Sequence, residues 1–271
     1  MNFHTDEWIM DRVREHYNDA LKHFSEDRIV GIYYQGSANY QMDYVDSDVD
    51  TKLIVVPTFQ ELAMKTKEIS TTHIRVNDEH IDFKDLRLYF QIFRKQNMNF
   101  LEILWTKYCL INPMYATEWN RLIKAREEIA RYAPVLAVKA MTGVAKEKYF
   151  AMEHEYPSRM EWIKRFSYDP KQTHHLLRVR EYMQRYIDGE SYETCLIPRN
   201  TEYLIEVKKG LYQLDEARKV AKEAIVDVDR MCNSFSSEHE NIVNSTIDDL
   251  IDDVQYNIMK IAIQKEFEKE A

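Results

Sequence analysis

From residue 85 onward the chain repeats its apolar residues at helical spacing almost without a break. Five glycines and six prolines in 271 residues leave few places to turn. Any sheet must therefore be built mainly from the first third of the chain. Four runs there have strand character. Residues 28 to 35 and 49 to 56 are rich in Ile, Val and Tyr, and the shorter runs 72 to 76 and 79 to 84 alternate in polarity. A helix is predicted ahead of them over 6 to 25, where Trp8, Ile9, Val13, Tyr17, Leu21 and Phe24 recur at helical spacing. Thr58 is a cap for a helix over 59 to 68, and 86 to 95 reads as another. Residues 100 to 111 fit helix, strand or one of each.

Past Pro113 the pattern is helix upon helix: roughly 115 to 131, 134 to 154, 159 to 166, 171 to 188, 201 to 209, 214 to 234 and 246 to 268. Pro157, Pro170 and Pro198 punctuate these segments, and Gly189 and Gly210 suit helix ends. The expected fold class is α/β (α+β): a small mixed-sheet domain over residues 1 to 113, followed by an α-helical domain over 114 to 271.

With 45% hydrophobic and 12% aromatic residues the chain can bury a sizeable core. Its apolar stretches fall far short of a bilayer span, and the charged, amphipathic start lacks a signal-peptide core, so a cytoplasmic protein without membrane attachment is expected. Cys109, Cys195 and Cys232 are odd in number and widely spaced, which predicts free thiols rather than disulfides or a metal framework. The net charge of −9 argues against nucleic-acid binding by the whole surface. Residues 139 to 185 nevertheless carry ten Lys or Arg against six Asp or Glu, whereas 238 to 271 carry three against nine. A local basic surface could face a triphosphate or RNA.

The chemistry-bearing stretch is 36 to 50, GSANYQMDYVDSDVD. Gly36 and Ser37 end the first apolar run, and Asp48 and Asp50 lead into the second. Asp82 lies between Ile81 and Phe83 in a later run. Carboxylates at i and i+2 of a strand share a face, and a third from a neighbouring strand completes an all-oxygen site for a hard cation such as Mg²⁺. Such a site suits phosphoryl or nucleotidyl transfer. Gly36 permits a tight turn, while Ser37 and Ser47 can offer hydroxyls to phosphate. Asp43, Asp46 and Asp85 are rival carboxylates, the first two in a loop and the third where a helix cap belongs. Lys52 reads as a side chain directed to solvent, although on the same face it could touch a phosphate.

These elements resemble the nucleotidyltransferase superfamily typified by DNA polymerase beta. A closer likeness is to the predicted nucleotidyltransferases of bacterial and phage RNA-repair pathways. It extends through Asp82-Phe83-Lys84-Asp85-Leu86-Arg87-Leu88-Tyr89, Asn97-Met98-Asn99-Phe100-Leu101-Glu102-Ile103-Leu104 and His174-His175-Leu176-Leu177-Arg178. The resemblance implies Asp48, Asp50 and Asp82 as catalytic metal ligands for two Mg²⁺ ions, or Mn²⁺. It implies Gly36, Ser37, Ser47, His175 and Arg178 as contacts for a nucleoside triphosphate such as ATP. The implied acceptor is an RNA end such as a tRNA 3′ end. AMP transfer to a protein or small molecule, and a nucleotide-binding regulatory module without turnover, are the alternatives.

On the helix predicted over 171 to 188, Lys171, His175, Arg178 and Tyr182 share a face beside an apolar stripe of Leu176, Val179, Met183 and Ile187. That polar line could neutralise phosphates, or simply face water. The acidic run Asp248, Asp249, Asp252 and Asp253 leaves room for a protein partner or a homodimer through the helical domain.

Overall fold

The computed structural model describes residues 4 to 44 and 47 to 270. Helix α1 (Asp6–Ala20) begins at Thr5, whose side chain caps the Trp8 N–H. The sheet follows: β1 (Ile29–Gln35), β2 (Asp50–Val55), β3 (Ser70–Ile74), β4 (His80–Asp85) and β5 (Cys109–Ile111), in spatial order β3-β4-β2-β1-β5. Only the β2–β4 pair is parallel; the other three pairs are antiparallel. Helix α2 (Phe59–Ala63) separates β2 from β3. Its capping box is Thr58 with Glu61, and it ends well short of the 68 that the apolar spacing predicts. Asp85 caps α3 (Leu86–Arg94), and α4 (Met98–Leu101) leads through a single 3₁₀ turn toward β5. The ambiguous stretch 100 to 111 thus contains both helix and strand.

Side-chain alternation divides the sheet into two buried faces. Val49, Leu53, Val55, Ile81 and Phe83 pack with Ile9, Val13 and Ala20 of α1. On the other face Tyr33 meets Trp119 and Phe90 meets Phe93. Trp119 belongs to α5 (Ala116–Lys124), which α6 (Arg126–Ala130) follows. All three thiols are free; Cys195 is buried, and Cys109 and Cys232 are partly exposed.

The second body is helical. It comprises α7 (Pro134–Ala151), α8 (Met160–Phe166), α9 (Pro170–Ile187), α10 (Tyr192–Leu196), α11 (Thr201–Lys208) and α12 (Leu214–Glu238). Helix α9 lies at its centre, packed by α7, α10, α11 and α12. Gly189 and Gly210 take φ of +87° and +93° just past helix ends, as their positions predict. The short α10 escapes the periodic pattern because it is little more than one turn.

Chain order and spatial grouping diverge at the end. Unit 1 contains residues 1–39, 43–132 and 243–271; unit 2 contains 40–42 and 133–242. The division therefore falls near 132, not 113, because α5 and α6 pack with the sheet. The last helix, α13 (Ser245–Glu270), belongs to unit 1 and not to the helical domain. Arg94 holds Asp248 at 2.6 Å and Asp252 at 2.7 Å, and Arg121 holds Asp253 at 2.6 Å. Three of the four carboxylates in the acidic run thus have partners inside the chain. Among the described residues no helix is long and apolar enough to cross a membrane.

Candidate active site

Six of the eight residues singled out in the sequence gather around one end of the sheet in unit 1. The end of β1 and the start of β2 are neighbours, since Gln35 is opposite Asp50. Gly36 leaves β1 with φ of +150°, and a Cβ there would come within 2.7 Å of the Tyr34 hydroxyl. Backbone conformation and space both favour glycine. Ser37 opens the following turn, and its hydroxyl donates to the Ser47 Oγ at 3.3 Å. The Ser47 hydroxyl also accepts the Tyr44 N–H at 3.1 Å. The two serines tie the turn after β1 to the segment entering β2.

Asp48 is exposed and has no hydrogen-bond or ionic partner among the described residues. Asp50 opens β2, half-exposed, and its Oδ1 accepts the His80 backbone N–H at 2.9 Å. The parallel register pairs Lys52 with Asp82. Paired residues on parallel strands point the same way, and i, i+2 residues share a face. Asp50, Lys52 and Asp82 therefore occupy one face, opposite the side packed by α1. Asp82 is oriented by Thr72 of β3, whose hydroxyl donates to Oδ1 at 2.6 Å. Among the described residues no three His, Cys, Asp or Glu side chains are grouped so as to hold a metal ion.

Lys52 is the residue the sequence places wrongly. It is 1% exposed, not directed to solvent. Its ammonium lies 4.0 Å from the centre of the Phe100 ring and donates to the Asn99 carbonyl. Burial lowers its pKa to about 8, against the opposing pull of Glu102, Asp82 and Asp50. The face that bears the carboxylates thus contains a fixed internal cation. The available signal was its i+2 spacing from Asp50; the cover supplied by Asn99 and Phe100 was not legible.

The rival carboxylates have structural roles. Asp43 is buried and accepts the His4 N–H at 3.0 Å. Asp85 caps α3 by accepting the Arg87 N–H at 2.9 Å and pairs with the Arg87 guanidinium. Asp46 lies outside the described residues. Another group missed in the sequence supports the site from the α1 side. His16 is fully buried, with Nδ1 2.9 Å from the Thr51 hydroxyl and Nε2 2.9 Å from Glu79. Glu79 also binds Arg12 and Arg75. One imidazole thereby bridges the residue after Asp50 and the residue before His80.

His175 and Arg178 belong to unit 2. Arg178 is not on a solvated face: it is 5% exposed, and its guanidinium lies 4.1 Å from the centre of the Tyr40 ring. His174 is also buried, and its Nδ1–H donates to the Leu204 carbonyl at 2.8 Å. Burial takes His174 down to about 3 and holds half-buried His175 well below the ordinary histidine range; Arg178 and Lys171 add to both effects. Both rings are neutral in the folded chain, while their unfolded counterparts take up protons below about pH 6.5. Between that pH and the folded value the unfolded state binds more protons, so stability falls as pH falls. The expected loss is about 1.4 kcal/mol per pH unit from His174 alone. Denaturant unfolding at pH 8 and pH 5 should show it, and His174→Gln should flatten the difference.

No family model matches the chain, and no curated protein matches it. Among solved structures it is similar to a nucleotidyltransferase-like protein from Exiguobacterium sibiricum 255-15, at 11% identity and a TM-score of 0.29, over 83% of this chain and 75% of that one. A likeness that distant fixes neither fold nor activity.

Proposed function

We propose that the chain is a metal-dependent nucleotidyltransferase that moves a nucleoside monophosphate from a triphosphate to an acceptor hydroxyl. One observation carries this reading: Asp50 and Asp82 share a face of adjacent parallel strands, next to a Gly36-Ser37 turn tied to Ser47. The donor set is all oxygen, which fits Mg²⁺ or Mn²⁺ and not a soft metal. Asp48, Asp50 and Asp82, which are not drawn together into a metal-holding group among the described residues, would have to converge on the cation as it binds. When bound, it would supply charge to activate the attacking hydroxyl and stabilise departing pyrophosphate.

The chain's own groups have separate tasks. The Ser37 and Ser47 hydroxyls and the open backbone at Gly36 would receive phosphate oxygens. Thr72 keeps the Asp82 carboxylate oriented, and the His80 N–H does the same for Asp50. Lys52 offsets the negative charge of the carboxylate face when no nucleotide is bound. An RNA 3′ end is the favoured acceptor, on the sequence resemblance and on the basic excess over 139 to 185.

The test is to incubate the protein with Mg²⁺, each α-³²P-labelled nucleoside triphosphate in turn, and total RNA. Label is expected in RNA. Label on protein would redirect the acceptor assignment to protein modification. No label in RNA, protein or a panel of small hydroxyl acceptors would overturn the transferase reading.

A further inference from the structure

Strand β3 is one edge of the sheet, and it lies open. Its residues, Ser-Thr-Thr-His-Ile, contain no Lys, Arg, Asp, Glu or Pro, and all but His73 are exposed. The opposite edge, β5, has only three residues, all half-buried. Short length, charges, prolines and bulges are the usual means of keeping an edge from pairing with another chain. Strand β3 uses none of them, and its register with β4 is unbroken from Ser70↔Lys84 to Ile74↔His80. The Asp85 N–H donates to the Ile69 carbonyl and the Arg75 N–H to the Glu79 carbonyl. By the alternation of an antiparallel ladder, Thr71 and His73 then bond to β4, while the N–H and C=O groups of Ser70, Thr72 and Ile74 point outward. Arg75 does not guard this edge, because Asp19 and Glu79 hold its guanidinium. Ile74 and, just beyond it, Val76 leave apolar side chains in water.

We propose that β3 is a dimer interface, pairing antiparallel with β3 of a second copy so that two sheets become one. The edge is complementary to itself. A dyad through Thr72 sets Thr72 opposite Thr72 and Ser70 opposite Ile74 of the other copy, so every outward N–H and C=O of the strand finds a partner. Each such pair exchanges both its bonds, giving about six hydrogen bonds in all. Sliding the copies by two residues would leave Ile74 of each outside the paired strands, which fixes the register. No like charges meet across the dyad, since the strand carries none of fixed sign. Such an interface is isologous and closes on itself, leaving the short β5 strands as the only edges of the joined sheet. Thr72, at the dyad, also donates to Asp82. The two Asp82 residues would thus face the same side, three strand spacings or about 14 Å apart. The interface stands on the strand edge alone and does not depend on the transferase reading.

Sedimentation of the full chain over a concentration series should show its mass rising from 32.6 kDa toward twice that value. Ile74→Pro removes an outward N–H and leaves the ladder to β4 intact, which is where a strand accepts proline. It should weaken association about tenfold or more. Ile74→Lys keeps the backbone donor and adds a charge to the edge. It should weaken association likewise, and it decides the matter should the proline variant fail to fold. Residue-resolved amide exchange gives an independent reading. On dilution the amides of Ser70, Thr72 and Ile74 should lose protection, whereas those of Thr71 and His73 stay protected by β4. A chain that remains monomeric throughout would overturn the proposal. So would a dimer that both variants leave unchanged, because association would then use another surface. Exchange that quickens equally along the whole strand, or not at all, would overturn it too.

Discussion

Asp50→Asn and Asp82→Asn should each lower nucleotide transfer by about a thousandfold or more, roughly 4 kcal/mol of lost transition-state stabilisation. The substitutions remove charge while keeping shape. Asparagine at 50 retains an oxygen for the His80 N–H, and at 82 it retains one for the Thr72 hydroxyl, so both strands should keep their positions. Single-turnover transfer with labelled triphosphate gives the rate, and far-UV circular dichroism with a denaturant midpoint checks the fold. Full activity in either variant would remove that carboxylate from the site. Asp48→Asn is the sharper comparison, since no described partner anchors Asp48 and any loss there has no structural explanation.

Glu79→Ala should destabilise unit 1 by about 3 kcal/mol. The carboxylate is 5% exposed and receives Arg12, Arg75 and His16. Burial alone would raise its pKa, but the bonds from His16 and Arg12 outweigh that and hold it well below the usual range. A carboxyl lowered on folding contributes stability above its unfolded pKa and loses it as pH falls toward the folded one. The Glu79→Ala penalty should accordingly be full at pH 7 and shrink steadily below about pH 4.5. Urea midpoints at pH 7 and pH 4 measure both. A similar penalty at the two pH values would show that packing, not charge, is what Glu79 supplies. Because Glu79 precedes His80, faster amide exchange at His80 should accompany the loss.

Much of the site could be read from residue order, for a local reason. Strand alternation fixes which side chains share a face, so Asp50 and a third carboxylate between apolar neighbours are visible as a pattern. The Gly36 turn and the caps at Thr58 and Asp85 are visible likewise. Pairings between distant segments were not. The parallel β2–β4 register that sets Asp82 beside Lys52 depends on chain geometry between them, and the cover over Lys52 comes from a stretch whose periodicity was ambiguous. Arg178 was legible as polar and on a face with His175, but its burial depends on four helices packed around α9 and on Tyr40. The domain boundary failed for a related reason. Composition changes where the strands stop, while packing continues through α5 and α6 and resumes at α13.

The return of α13 sets an order of events during synthesis. Its ion pairs to Arg94, Arg121 and Asp27 join the last part of the chain to segments made far earlier. Roughly a hundred residues of unit 2 must be translated before those partners exist, which takes about 5 to 20 seconds at ordinary elongation rates. The sheet must wait on the ribosome without its last helix, with Arg94 and Arg121 lacking these carboxylates. Unit 2 lies within one nearly continuous stretch and can close as it emerges. The helical body, encoded second, is therefore positioned to mature first.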